Sequence, residues 1–95
     1  MAQSYRKEMS LRRSDLLRLL PRAAAPFEYD ISENIIRIEA GEGRIVIRFS
    51  EEGLRTIGSL SFPVLVVDFE FSGFSNQQIN RFLEKFDRTY QRGGG

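Results

Sequence analysis

The 95-residue chain contains no cysteine, no histidine and no tryptophan, and only three prolines. Without cysteine there can be neither a disulfide framework nor a thiolate metal site, a composition that fits a reducing compartment. The missing histidine is more restrictive, because it removes the usual general base near neutral pH and the commonest metal ligand. Long apolar runs are missing too. Nothing approaches the roughly 20 residues of a membrane span. In the leucine-rich stretch LRRSDLLRLLPRAAAP (11–26), Arg18 and Arg22 interrupt the continuous apolar core that a secretory signal needs. We therefore read this stretch as part of a folded, soluble, cytoplasmic protein.

What is present fits one small globular domain. Hydrophobic residues make up 41% of the chain and charged residues 28%, too apolar for a disordered tail. The net charge of +1 is unevenly spread: residues 1–22 carry six basic and two acidic side chains, and the remainder is close to neutral. Residues 1–9 read as a flexible amino-terminal segment, 10–92 as a single domain and 93–95 as a glycine tail.

Hydrophobic spacing divides the domain into elements. Ser10 is placed to cap a helix in which Leu16, Leu17 and Leu20 share a face, with Pro21 and Pro26 as stops. Period-two alternation follows. Phe27, Tyr29 and Ile31 point one way, then Ile36 and Ile38 after a turn at Glu33-Asn34, then Ile45, Ile47 and Phe49 after a four-residue loop, Ala40–Gly43. The two turns are mutually consistent, since pairing Ile31 with Ile36 and Ile38 with Ile45 keeps all these residues on one face. Ser50-Glu51-Glu52 resembles the cap and acidic first turn of a short helix carrying Leu54 and Ile57 and ending at Gly58. Leu65, Val67, Phe69 and Phe71 form a fourth alternating run, whose place in the sheet the spacing leaves open. Ser75 caps a final helix with Ile79, Phe82, Leu83, Phe86 and Tyr90 at helical spacing. The expected fold is α+β: a two-layer sandwich of a four-stranded, mainly antiparallel sheet with two main helices on one face, in the order α-β-β-β-(short helix)-β-α.

The sheet face opposite the helices is where function would sit. It alternates charges (Glu28, Asp30, Arg37, Glu39, Arg44, Arg48, Asp68, Glu70) that pair across strands, Asp30 with Arg37 and Glu39 with Arg44. Such carboxylates on an open face lack the burial that tunes a catalytic pKa. The same face holds Ile35, Val46, Val64 and Val66, with Leu60 and Phe62 just upstream, a candidate protein interface rimmed by charge. Arg6, Lys7, Arg12, Arg13, Arg18 and Arg22 form a basic arm that could contact nucleic acid. Against that use, the strand aromatics fall on the helix-covered face, where they cannot stack on bases. Gly41-Glu42-Gly43 lacks the Lys-Ser/Thr and following helix of a phosphate loop.

The terminal Gly93-Gly94-Gly95 resembles the diglycine end of ubiquitin-like carriers over those residues alone. It follows Arg88 and Arg92 at the end of a helix, where glycine supplies a C-cap, and we read it as a helix stop. The sequence thus points to a non-enzymatic protein-interaction module without cofactor or metal, self-associating as a homodimer through the open sheet face. The alternative is a nucleic-acid-binding accessory protein using the basic arm.

Overall fold

The computed structural model describes residues 3–93 of the protein. The elements are β1 (Gln3–Met9), α1 (Arg13–Ala24), β2 (Glu28–Ser32), β3 (Ile35–Ala40), β4 (Gly43–Phe49), β5 (Gly53–Ile57), β6 (Leu60–Ser72) and α2 (Asn76–Gly93). All strand pairs are antiparallel, and the order across the sheet is β1-β6-β4-β3-β2, with β5 paired to β6. The α+β class stands, but the expected four strands are six and the chain enters through a strand, not a helix. Residues expected to be an untethered lead-in form β1, paired with β6 from Gln3↔Phe71 to Met9↔Leu65. The segment expected to be a short helix is β5.

The centre of the sheet follows the alternation of Ile, Val and Phe. Ile36, Ile38, Ile45, Ile47, Phe49, Leu65, Val67, Phe69 and Phe71 are buried on one face. The pairings Ile31↔Ile36, Tyr29↔Ile38, Ile38↔Ile45 and Ile36↔Ile47 are those expected. The β3–β4 connection is tighter than expected, because Ala40 and Gly43 still pair and leave a two-residue turn, Gly41-Glu42, with Gly41 at φ 64. Such tight hairpin turns match the strand twist only with positive φ, which glycine adopts without strain.

Both helices lie on the same face. Leu16, Leu19, Leu20, Ala23 and Ala24 of α1 and Ile79, Phe82, Phe86 and Tyr90 of α2 complete one core with the strand residues. The Phe86 ring meets Phe69 edge-on at 4.9 Å, and Phe82 meets Phe71 at 5.7 Å, geometries that aromatic quadrupoles favour. α2 opens with a capping box: the Ser75 hydroxyl accepts from the Gln78 N–H, and the Gln78 side chain accepts from the Ser75 N–H. α1 begins later than expected. Its cap position, Arg12, supplies no side-chain bond; instead the Glu52 carboxylate accepts the Arg13 N–H at 2.7 Å. Nor does Pro21 end this helix, which continues to Ala24. The ring costs one backbone bond, and the buried Ala23 and Ala24 beyond it keep the last turn docked. α2 runs to Gly93, so the expected glycine tail begins inside the helix, and Gly94 and Gly95 lie outside the described residues.

β6 is the axis of the molecule. Its 13 residues span about 40 Å at roughly 3.3 Å per residue, against a longest dimension of 47 Å. Its second half lies inside the main sheet, and its first half pairs only with β5, forming a two-stranded ribbon beyond the helices. β5 lies on the same side of β6 as β4. Between the pairs Phe49↔Val67 and Gly53↔Val64, three residues of one strand (Ser50, Glu51, Glu52) oppose two of the other (Leu65, Val66), which defines a β-bulge. The extra residue is anchored by side chains. The Ser50 hydroxyl accepts the Val66 N–H, Glu51 accepts from the Asn34 amide, and Glu52 caps α1.

Candidate interaction surfaces

The open sheet face carries the expected charge ladder. Asp30↔Arg37, Glu39↔Arg44 and Arg48↔Asp68 are cross-strand pairs, and Arg44 and Glu39 approach to 3.0 Å. β1 adds residues that the four-strand reading did not place there. Arg6 lies opposite Asp68 and donates two bonds to it, at 2.7 and 3.2 Å, which raises the guanidinium pKa still further. Glu8, opposite Val66, pairs with Arg55 of β5. The stem of Arg55 therefore crosses the Val64–Val66 stretch, covering aliphatic surface while its head stays wet. Water screens these exposed pairs, so they contribute little to stability.

The candidate interface residues do not form one patch. Val46 lies opposite Glu70, and Ile35 lies opposite Arg48. The Arg48–Asp68 row separates both from Val66, and Ile35, Val46, Val64 and Val66 are all half-buried. Leu60, Phe62, Val64 and Val66, by contrast, continue along a single strand face to the tip of the ribbon. There the exposure is large: Leu60 and Ile57 are each 61% exposed, Leu54 is 76% and Phe62 37%. From the register, Ile57, Leu60 and Phe62 share the open face, and Leu54 lies on the opposite side of the ribbon with Pro63. The tip is a two-residue turn, Gly58-Ser59, with Gly58 at φ 61. From Thr56 to Val67 the chain carries no charge at all.

The backbone edges of the ribbon differ. The Val66 carbonyl accepts from the Ser50 N–H, so even-numbered residues of β6 aim their peptide groups at β4 and β5. Ser61 and Pro63 therefore aim outward beyond the end of β1. Pro63 has no N–H to offer, and that edge is blunted. Along the outer edge of β5, Leu54 and Thr56 aim their peptide groups away from β6, with no strand beside them among the described residues.

The basic arm is dispersed. Arg6 and Lys7 project from opposite faces of β1, Arg6 to Asp68 and Lys7 to Asp87 at 2.9 Å. Arg13 lies over the Phe49 ring at 5.5 Å and donates to Asn34 and to the Glu33 carbonyl, and Arg18 pairs with Asp15. Arg12 and Arg22 are exposed on either end of α1. One aromatic expectation also changes. Phe27, just before β2, and Tyr29 and Ile31 within it are exposed, where β2 forms the edge of the sheet.

Among the described residues no group of three or more His, Cys, Asp or Glu could hold a metal ion, and no helix is long and apolar enough to cross a membrane. Comparison with known proteins matches this chain to no family and to no curated protein.

Proposed function

We propose that the protein is a non-enzymatic cytoplasmic interaction module that self-associates through the β5–β6 ribbon. The observation that carries this reading is a ribbon beyond the sheet, charged only at Arg55, whose large apolar side chains, Leu54, Ile57, Leu60 and Phe62, are exposed on both of its faces. A two-stranded hairpin without a packed face is at best marginally stable in water, and a contiguous exposed apolar surface marks a contact site.

A second copy of the chain suits this surface better than a charged partner, which would find nothing to pair with between Thr56 and Val67. Of the ribbon's two edges, the β5 edge offers backbone donors and acceptors without a proline, and an antiparallel edge can pair with itself about a two-fold axis. The carboxylates of the open face, by contrast, lie exposed or half-buried and are spread along cross-strand pairs with arginines.

Sedimentation velocity over a concentration series tests the reading. The unmutated protein is expected to form dimers at micromolar concentration. Leu60→Lys combined with Phe62→Lys is expected to give a monomer with an unchanged unfolding midpoint, because neither residue touches the core. A monomeric unmutated protein at several hundred micromolar, or a variant dimer as tight as the original, would refute it.

A further inference from the structure

At the opposite end of β6 from the ribbon is a cleft of about 500 Å³, within the size range of small-molecule sites. Ala25, Pro26 and Phe27, leaving α1, form one wall, and the first half of α2 forms the other. The β3–β4 turn and the Gly73-Phe74 loop close the end. The lining is mainly apolar, with Phe27, Phe74 and Phe82 as its large side chains. Its polar members, Gln78, Arg81 and Lys85, all come from α2 at positions i, i+3 and i+7, and so form one row along the helix face turned to the cleft. Both charged groups are cations, and no carboxylate lines the space.

The closed end is built by close packing. Phe74 lies edge-on to Phe71 at 5.7 Å and covers Gly43 so closely that a Cβ there would stand 2.2 Å from its ring. Gly73, at φ 76, brings its backbone against the Glu42 carbonyl, where a Cβ would come within 2.8 Å. Side chains at either position would push this end apart. The Lys85 ammonium is fixed across the mouth by its bond to the Ala25 carbonyl, which uses one of its three donors. Arg81 is exposed and has no ion-pair or hydrogen-bond partner among the described residues.

We infer that this cleft binds a small amphipathic organic acid. The aliphatic or aromatic body would lie between Phe27, Phe74 and Phe82, and the acid group would accept bonds from Arg81 and Lys85. The apolar walls supply burial. The two cations, with no competing carboxylate in the lining, select an anion over a neutral analogue. This inference is independent of self-association, because the ribbon tip lies at the far end of β6.

The test is a titration of the isotope-labelled protein, followed by nuclear magnetic resonance, with decanoate as the probe and decanol and butyrate as controls. Decanoate is expected to shift the signals of Phe27, Phe74, Phe82 and Lys85 with saturable binding, and each control to bind at least tenfold more weakly. Arg81→Gln, a surface change that leaves the fold intact, is expected to weaken decanoate about tenfold. Phe27→Ala is expected to weaken it without altering the preference for the acid. Three results would overturn the inference: no saturable shift at millimolar decanoate, shifts confined to residues 54–62, or decanol binding as tightly as decanoate with no effect of Arg81→Gln.

Discussion

Replacing Tyr90 by Phe isolates one buried hydrogen bond and makes its contribution depend on pH. The Tyr90 hydroxyl donates to the Leu16 carbonyl at 2.6 Å, tying the end of α2 to the start of α1, and the residue is only 7% exposed. In the variant the ring keeps its place against Phe86, 4.6 Å away. The Leu16 carbonyl is not orphaned, because within α1 it accepts the N–H four residues on. The cost at neutral pH is therefore that of one satisfied bond, about 1 kcal/mol. Above pH ~10 the comparison changes. Burial, with the Tyr29 charge adding to it, raises the Tyr90 pKa well above the ordinary phenol value. In the unfolded chain that phenol loses its proton near pH ~10, while in the folded protein it keeps it. The unfolded state then binds fewer protons, so stability falls as pH rises, by up to ~1.4 kcal/mol per pH unit from this residue. The contribution is complete below pH ~10 and is lost on approach to the folded pKa. Tyr90→Phe lacks this slope, so the two stabilities should converge above pH ~10 and meet near pH ~11. Urea unfolding of both proteins across this range measures the difference directly. Parallel pH profiles would show that the phenol titrates normally and that α2 is not tied to α1 in this way.

Two further outcomes follow from packing and turn geometry. Phe86→Ala removes a fully buried ring that meets Phe69 and Tyr90, and should cost about 3–5 kcal/mol in urea unfolding; a loss under ~1 kcal/mol would mean that α2 does not dock over β6. Gly58→Ala forces an L-residue into the left-handed region at a cost of about 1–2 kcal/mol. Because the ribbon contributes no core residue, that cost should appear as faster amide exchange at Arg55, Ile57, Leu60 and Phe62, with the global unfolding midpoint unchanged. A midpoint that drops with it would place the ribbon inside the cooperative unit.

The parts of the fold legible in the sequence are those where burial is one-sided and complete. β3, β4 and the second half of β6 alternate Ile, Val and Phe against charged residues, and α2 carries its apolar stripe behind a capping box, so period and partner were both readable. β1 was hidden because an edge strand needs less burial. Its inward positions are Gln3, Tyr5, Lys7 and Met9, and Lys7 is tolerated there because its ammonium reaches out to Asp87. β5 was misread because its signals are shared by two structures. Ser50 with two acidic residues is a helix-start signature, and Leu54 and Ile57 at i, i+3 suit one helix face. In the strand they fall on opposite sides, both exposed, and the Ser50 hydroxyl accepts from Val66 across the sheet. Leu60 and Phe62 were identifiable as exposed apolar residues. Their separation from Val46 and Ile35 depended on a register that the misread helix concealed. The cleft was not legible at all, since residues from 25 to 85 meet there only through the tertiary fold.

The bulge at Ser50–Glu52 can be understood as arithmetic. Core matching fixes the β4–β6 pairing on totals that are even, as in Ile47↔Phe69, because that alignment puts both apolar faces under the helices. A two-residue turn at Gly58-Ser59 permits only odd totals, as in Ile57↔Leu60. The two ends of one long hairpin thus obey incompatible parities, and no regular ladder can satisfy both. One surplus residue settles the conflict, at the only place where neither end is disturbed. Chain length at residues 50–52 is accordingly a free variable of the fold: removing Glu52 would regularise the ladder without shifting a core pair or the turn, at the expense of the cap on α1. Within the paired stretches themselves, gaining or losing a single residue sets the core against the turn.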